Sequence, residues 1–249
     1  MNVFYTLNAR KVKQGVLILV ISFFTALFIF TGSLSALPVF STDEGPKAIY
    51  KGDKGVSLTF NVGWGDEKTE PILEELEKQG VQSATFFLSG AWAERHPDIV
   101  EKINKQGYEI GSLGYAYKDY SDMDDAKVIQ DLQKAQEVFT KLNIKDVNLL
   151  RMPTGHFDKR VLSIADKLGY TVVHWSVNSQ DWTNPGVEQI VENVSSAKKG
   201  DIVLLHASDS AKQTEKALPE IVKSLKSKGD FISVSEMIAN GKTKTTLVP

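Results

Sequence analysis

The sequence of 249 residues contains no cysteine, so disulfide bonds, zinc–thiolate sites and cysteine nucleophiles are excluded. It also lacks the HxxxH and HExxH spacings and the clustered carboxylates that are typical of metal sites. No glycine-rich phosphate loop lies between a strand and a helix, which argues against nucleotide binding. Ser89, Ser112 and Ser208 have no histidine–aspartate arrangement beside them, so the sequence does not indicate a serine hydrolase.

A large excess of charge of either sign is also absent. The chain has 29 basic and 31 acidic residues and a formal net charge of −2. The first 42 residues contain three basic residues and no acidic ones, so the rest of the chain is mildly acidic, with 26 basic against 31 acidic residues. Because nucleic-acid backbones require a basic surface, we expect no nucleic-acid partner.

Only the N-terminus contains a long hydrophobic run. Three basic residues precede a charge-free stretch from Gln14 to Thr42. About 20 apolar residues suffice to cross a bilayer, and basic residues on the N-terminal flank favour an N-inside orientation. We therefore predict a signal-anchor over residues 1–42, a membrane partner and a single-pass location at the cell membrane, with the remaining chain outside the cytoplasm. Small residues at Ser33–Ala36 leave a cleaved signal peptide, and hence a secreted protein, as the alternative.

After a polar segment at residues 43–52, predicted to be a tether, short apolar runs alternate with amphipathic stretches. This alternation is typical of a parallel α/β sheet, and we predict one domain at 53–240 followed by a tail at 241–249. The predicted strands are Val56–Phe60, Ala84–Leu88, a short strand ending near Gly111, Leu149–Arg151, Thr171–Ser176, Asp201–His206 and Phe231–Ser233. The predicted helices are Glu67–Lys78, a helix from Pro97 to near Gly107, Asp124–Leu142, Lys159–Leu168, Gly186–Ala197, Thr214–Lys228 and Glu236–Asn240.

Unusual residues lie at or just past the carboxyl ends of these predicted strands. They are Asn61, Leu113, Arg151, Asn178 with Asp181, and His206. In a (β/α) barrel these strand ends converge on one face, where active sites are built. The sequence therefore predicts a concave site at that rim.

Five short motifs carry these residues. They read Thr59-Phe60-Asn61-Val62-Gly63, Gly111-Ser112-Leu113-Gly114-Tyr115-Ala116-Tyr117, Arg151-Met152-Pro153-Thr154-Gly155, Trp175-Ser176-Val177-Asn178-Ser179-Gln180-Asp181-Trp182 and Leu204-Leu205-His206. Together they resemble the polysaccharide deacetylase family (the NodB homology domain), and the run Gly200–Lys212 resembles its sporulation-associated branch most closely. The resemblance implies a distorted seven-stranded (β/α) barrel and metal-assisted amide hydrolysis.

The chain departs from the family where that chemistry requires specific side chains. Ordinary members read Thr-Phe-Asp-Asp-Gly in the first motif and have two histidines four residues apart in the second. By position, Asn61 replaces the base, Val62 replaces the metal-binding aspartate, and Leu113 and Tyr117 replace the two histidines. Valine or isoleucine at position 62 is not unusual in the sporulation-associated branch, so the other three changes carry the argument. We expect no metal and no cofactor, and we expect Val62, Leu113 and Tyr117 to pack together where the ion would lie.

Other site residues match the family. The resemblance implies that His206 corresponds to the general acid and Arg151 to the arginine that pairs with the base, and we predict Asp181 as the replacement partner of Arg151. The resemblance assigns Leu204 to the wall of the acetyl pocket. The remaining predicted substrate-binding residues are Pro153, Tyr115 and Trp182, the last two by stacking on sugar rings. Trp175, inside a predicted strand, is more typical of a core residue.

The favoured hypothesis is a glycan-binding pseudoenzyme linked to the cell wall or to sporulation, with an N-acetylated glycan such as peptidoglycan as its partner. The first alternative is an active N-deacetylase with a non-standard site, in which Asp181, Arg151 and His206 supply acid–base chemistry. His156, Asp66 and Glu67 are the candidates to rebuild a metal site in that case. The second alternative is a non-catalytic scaffold for protein interactions.

Overall fold

The computed structural model describes Lys13, Leu19, Val20, Ser22, residues 45–239 and residues 241–247. The predicted anchor therefore lies outside the described residues, apart from those four positions. Among the residues that are described, no helix is both long and apolar enough to cross a membrane.

Seven parallel strands form one curled sheet, which confirms the predicted fold class. In spatial order the strands are β6, β5, β4, β3, β2, β8 and β7, and a separate antiparallel pair joins β1 to β9. The strands are β1 (Ala48–Lys51), β2 (Ser57–Val62), β3 (Thr85–Leu88), β4 (Glu109–Ser112), β5 (Leu149–Leu150), β6 (Thr171–Val172), β7 (Val177–Asn178), β8 (Ile202–His206) and β9 (Lys244–Thr246).

Helices follow most strands and cover the outside of the sheet. They are α1 (Thr69–Lys78), α2 (Gly90–Arg95), α3 (Pro97–Lys105), α4 (Asp125–Lys141), α5 (Lys159–Lys167), α6 (Val187–Ser195), α7 (Thr214–Leu225) and α8 (Val234–Ile238). Pro97 begins α3, where its missing N–H is not needed. The Asp158 side chain caps α5 by accepting a hydrogen bond from the Val161 N–H at 2.8 Å.

One of the seven predicted strands is not a strand of the observed sheet. Phe231–Ser233 forms only an isolated bridge, between Phe231 and Val56. The seventh strand is instead Val177–Asn178, inside the fourth motif. A two-residue strand shows no alternation of apolar and polar residues, so periodicity could not reveal it.

Alternation along β2 separates an outer from an inner layer. Leu58, Phe60 and Val62 belong to the large hydrophobic cluster that also contains buried residues of α1 and α7. Thr59 and Asn61, which alternate with them, contact the Arg151 side chain inside the curl. The inner layer is thus where polar groups from the strand ends meet.

The curl is open between its edge strands β6 and β7, and β1 spans that opening. Ile49 bridges to Val173, just after β6, and Lys51 bridges to Asp201, just before β8. The Lys51 ammonium also pairs with the Asp201 carboxylate. Ile49 is 1% exposed and belongs to the inner hydrophobic cluster.

The prediction of a tether at residues 43–52 and of a tail at 241–249 is therefore wrong where β1 and β9 pair. Ala48 aligns with Thr246 and Ile49 with Thr245. The error has a physical cause: the polar residues around β1 conceal a short strand whose apolar side chains enter the inner layer only because the curl leaves a gap there.

Replacing Ile49 tests whether β1 is part of the folded unit. We expect Ile49→Ala to lower the free energy of unfolding of the full chain by about 2–4 kcal/mol, because it removes a fully buried side chain. Lys244→Ala, on the exposed face of β9, is the matched control and should change it by less than about 0.5 kcal/mol. Denaturant unfolding measures both, and equal effects would show that β1 is only a tether.

His174, which lies between β6 and β7, makes the stability of the fold depend on pH. Burial, with a smaller contribution from the Arg151 charge, lowers the pKa of His174 to about 4. Below the ordinary histidine pKa of about 6.5 the unfolded chain binds a proton that the folded chain excludes, so stability falls as the pH drops from about 6.5 to 4. We expect a loss of about 1–2 kcal/mol, less than the full shift implies because the ring is only partly buried.

His174→Phe should flatten this part of the pH profile, because phenylalanine can stack on Trp175 as His174 does, at 3.8 Å between ring centroids, without titrating. Denaturant midpoints between pH 4 and 7 are the measurement. An unchanged slope would assign the effect to other groups.

Candidate functional site

A cleft of about 460 Å³ lies at the carboxyl ends of the strands, where the sequence predicted a site. The ends of β2, β7 and β8 contribute to it, together with the loops that follow β4 and β5. Its lining residues are Asn61, Trp64, Tyr117, Thr154, Gly155, Trp175, Asn178, Trp182, Leu204, His206, Ser208 and Ser210.

One wall contains a histidine held by a buried aspartate. His206 Nδ1 lies 2.7 Å from Asp181 Oδ1, and the His206 backbone N–H donates to Asp181 Oδ2 at 2.8 Å. The Thr214 hydroxyl donates to the same carboxylate at 2.6 Å. Burial alone would raise the pKa of Asp181, but these bonds lower it overall, so the carboxylate stays ionised. An ionised carboxylate only accepts hydrogen bonds, so Nδ1 carries a proton and Nε2 is left for other partners.

Behind the cleft lies a guanidinium that no water reaches. Arg151 Nη1 donates to Thr59 Oγ1 at 2.8 Å and to Asn61 Oδ1 at 3.0 Å, and Nη2 donates to the His174 carbonyl at 3.1 Å. Its carbon lies 4.1 Å from the centre of the Phe87 ring, within the range of cation–π attraction. Burial lowers the pKa of Arg151 to about 9, which leaves it charged at neutral pH.

The predicted pairing of Asp181 with Arg151 is wrong. Both side chains are fully buried, but Asp181 binds His206 and Thr214, whereas Arg151 binds neutral oxygens. The sequence indicated that Asp181 and Arg151 both belong to the site. It did not indicate whether Asp181 would pair with Arg151 or with His206.

The positions that hold the metal in the family are occupied by apolar or aromatic packing. Leu113 is fully buried in the inner hydrophobic cluster, and Tyr117 packs against that cluster. A Cβ atom on Gly63 would lie 3.0 Å from the Tyr117 ring, so the ring rests on this glycine of the first motif. Burial raises the pKa of Tyr117, which keeps its phenol neutral.

Val62 does not join Leu113 and Tyr117, contrary to the prediction that all three pack together. It lies in the outer cluster beneath the helices, because the alternation of β2 directs Asn61 inward and the next residue outward.

The residues present therefore do not fit the metal of the family. Catalytic divalent-metal sites use three protein ligands with lone pairs, which valine and leucine lack. Among the described residues, no group of three or more histidine, aspartate or glutamate side chains is placed to hold an ion. His156, Asp66 and Glu67 do not rebuild one: His156 pairs with Asp119 at 2.6 Å, and Asp66 lies beside His96.

Two predicted substrate-binding residues lie outside the cleft. Tyr115 faces the helices, where its hydroxyl donates to Glu94 and the Lys134 ammonium lies 3.7 Å above its ring. Pro153 is buried at the start of a 3₁₀ turn, and the two residues after it line the cleft instead. Both predictions are corrected: a position inside a motif does not fix the direction of a side chain.

The other predicted residues do lie at the cleft. Asn61, Leu204, Trp182 and His206 line it, while the roles assigned to them stay predictions. Trp175, interpreted as a core residue, also lines it. Sequence reasoning missed Trp64, although a tryptophan between two glycines directly after a strand was a usable signal of an exposed loop aromatic.

Comparisons with known proteins agree with this geometry. Residues 48–173 match the family model for polysaccharide deacetylases. A peptidoglycan-N-acetylglucosamine deacetylase of Bacillus cereus is 37% identical over 191 residues, covering 75% of this chain and 89% of the relative.

Solved structures give the same result. A peptidoglycan N-acetylglucosamine deacetylase superposes with a TM-score of 0.74 at 28% identity, over 84% of this chain and 99% of that one. A CE4 family pseudoenzyme from Bacillus anthracis superposes with a TM-score of 0.71 at 30% identity, over 78% of this chain and 69% of that one. A mutant of that protein has restored enzymatic activity and superposes with a TM-score of 0.72 at 29% identity, over 78% of this chain and 71% of that one. The motifs, the curled sheet and these matches together establish that the chain belongs to the polysaccharide deacetylase family.

Proposed function

We propose that this chain is a pseudoenzyme that binds an N-acetylated glycan, such as peptidoglycan, without deacetylating it. The charge-free stretch Gln14–Thr42 supports a location outside the cytoplasm, anchored to the membrane. A deacetylase relative that acts on peptidoglycan and a structural neighbour that is a pseudoenzyme support the two halves of the proposal. A link to sporulation rests on the run Gly200–Lys212 alone.

The observation that carries the proposal is the packing of Tyr117. Its ring lies on Gly63 in the cleft, at the position of a metal-binding histidine in the family, and Leu113 is buried behind it. A neutral phenol is a poor ligand for a divalent metal, and its ring occupies the space beside the first motif. Without the ion there is no Lewis acid to polarise an acetyl carbonyl and lower the pKa of water.

The lining of the cleft also lacks a carboxylate that could act as general base, and His206 is its only imidazole. None of its twelve residues is an aspartate, glutamate, lysine or arginine. Asn61, in the place of the base, has a carboxamide that can orient a water and cannot accept its proton. An uncharged lining with tryptophans and small polar side chains suits a neutral sugar, because amphipathic rings bind apolar faces while hydroxyl groups accept and donate hydrogen bonds.

One observation favours the rival hypothesis of an active N-deacetylase. His206 and Asp181 form a complete hydrogen-bonded pair at the cleft, and such a histidine can donate a proton to a leaving amine. The same histidine can accept a proton from water at Nε2, but without a metal no group at the cleft lowers the pKa of that water or polarises the acetyl carbonyl.

Metal content and acetate release decide between the two hypotheses. We expect the full chain to contain less than stoichiometric zinc and to release no acetate from N-acetylated chitooligosaccharides or peptidoglycan. The variant Asn61→Asp, Leu113→His, Tyr117→His should gain zinc, because it supplies three side chains with lone pairs, the number that a catalytic site requires. Val62 is left unchanged because it faces the outer layer.

A fourth substitution, Val62→Asp, is the comparison: it would bury a carboxylate beneath the helices and should lower stability without improving activity. Circular dichroism checks that each variant folds. Acetate release by the natural chain that disappears in His206→Ala would overturn the pseudoenzyme proposal.

The buried guanidinium of Arg151 has no ionised partner at position 61, where the family has its base. It is charged and fully enclosed, yet its partners are carbonyl, carboxamide and hydroxyl oxygens. A carboxylate at position 61 would face Nη1 directly, and hydrogen bonds between ionised groups are stronger than those to neutral oxygens. The cost of burying the cation is already present in the natural chain, so a new acid need only offset its own desolvation.

We therefore expect Asn61→Asp alone to raise the free energy of unfolding by about 1–2 kcal/mol at pH 7. Arg151 would lower the pKa of the new carboxyl, so the gain is present above pH 4 and is lost as the carboxylate is protonated at lower pH. Asn178→Asp, at the same cleft without an arginine contact, is the control and should give no gain. Destabilisation by Asn61→Asp at pH 7 would contradict this account of Arg151.

A further inference from the structure

Two tryptophans are exposed on the same cleft. Within residues 45–239 and 241–247, the exposed large hydrophobic side chains are Trp64, at 50%, and Trp182, at 53%. Both line the cleft. Large aromatic surface in contact with water is unfavourable unless a ligand covers it, and a pair on one rim indicates a ligand that covers both.

The main chain on either side of Trp64 is held rigidly. The Gly63 N–H donates to Ser208 Oγ at 3.1 Å, and the Gly63 carbonyl accepts from Ser89 Oγ at 2.8 Å. The Gly65 carbonyl accepts from Trp92 Nε1 at 2.7 Å. Side chains thus fix the backbone before and after the tryptophan, while the indole itself stays half exposed.

The carboxylate of Asp209 completes this support. It accepts the backbone N–H groups of Asp66, Glu67 and Lys68 at 2.9, 3.0 and 3.2 Å. These bonds offset the burial of Asp209 and lower its pKa, so it stays ionised. Gly65 has φ +103°, and a Cβ atom there would lie 2.5 Å from Asp209, so only glycine fits between the tryptophan and this carboxylate.

Trp182 is fixed in the same way. Asn184 Nδ2 donates to the Trp182 carbonyl at 3.3 Å and to the Ser210 carbonyl at 2.8 Å. Asn184 Oδ1 accepts from the Lys212 N–H at 2.9 Å. Asn184 adopts φ +56°, a conformation that asparagine tolerates better than most residues.

A single segment, residues 208–212, therefore positions both tryptophans. Its Ser208 and Asp209 hold the loop of Trp64, and its Ser210 and Lys212 hold the loop of Trp182. Hydrogen bonds to one stretch of chain thus fix the backbone of both tryptophan loops, and such pre-organisation reduces the entropy lost when a ligand binds.

Resting on the proposed function, we infer that Trp64 is a second sugar-stacking platform, and that Trp64 and Trp182 together select an oligosaccharide of N-acetylhexosamine over shorter ligands. Each indole covers the apolar face of a different sugar residue. Trp64 is then the residue that determines preference for chain length, and the neutral lining between the two platforms accommodates uncharged sugar units.

Calorimetry with the full chain tests this, using the di- and tetrasaccharide of N-acetylglucosamine as probes. We expect the natural chain to bind the tetrasaccharide more tightly than the disaccharide. Trp64→Ala should weaken tetrasaccharide binding on the order of tenfold and remove most of the difference between the two probes. Trp64→Phe, which keeps an aromatic face, is the matched control and should retain most of that difference.

The outcomes separate the two proposals. If the natural chain binds both probes and Trp64→Ala binds them equally well, the role of Trp64 is wrong while glycan binding stands. If Trp64→Ala weakens both probes by the same factor, Trp64 contributes to binding and does not select chain length. If the natural chain binds neither probe nor peptidoglycan, the proposed function fails and the inference fails with it.

Discussion

The inner layer of this domain is organised around one enclosed charge. The Arg151 guanidinium binds Thr59 and Asn61 of β2 and the carbonyl of His174 beside the opening of the curl, and it lies on the ring of Phe87 from β3. It thereby joins the centre of the sheet to the segment between its two edge strands. An uncompensated buried charge is costly, so each of these partners must stay in place for the fold to tolerate the arginine. The rim keeps its shape with an asparagine at position 61 because the arginine is held from several other directions.

Two ionised aspartates near the cleft also hold neighbouring residues in place, as Arg151 does. Asp181 holds His206 and Thr214, and Asp209 holds the loop that precedes α1. Neither lines the cleft, and the oxygens of both accept hydrogen bonds from protein donors. The cleft is thus surrounded by fixed acids while its own surface is uncharged. This arrangement separates the groups that shape the rim from the groups that would perform chemistry on a ligand, and the substitutions at Asn61, Leu113 and Tyr117 fall in the second set.

The sequence predicted the parallel sheet and most of its helices because strands such as β3 and β8 are largely apolar and alternate with amphipathic stretches. It failed for β7, which has only two residues, and for β1 and β9, which form a separate short pair. At the site, spacing within the motifs was enough to bring Asn61, Trp182, Leu204 and His206 to one cleft. The spacing did not predict the direction in which each side chain points. Tyr115 and Tyr117 are two residues apart, yet one faces Lys134 and the other faces Gly63, in an irregular loop with positive φ at Gly114 and Tyr117.

The replacement of metal ligands by packing also changes what stabilises the rim. In a metalloenzyme the ion joins loops from different strands, and its binding free energy contributes to folding. Here the loop after β4 is joined to the first motif by the contact of the Tyr117 ring with Gly63, and Leu113 anchors the start of that loop in the inner cluster. The link therefore depends on apolar burial, which needs neither a cation nor deprotonated ligands. A rim stabilised in this way keeps its cleft whatever the supply of metal, a property that suits the proposed binding of a glycan.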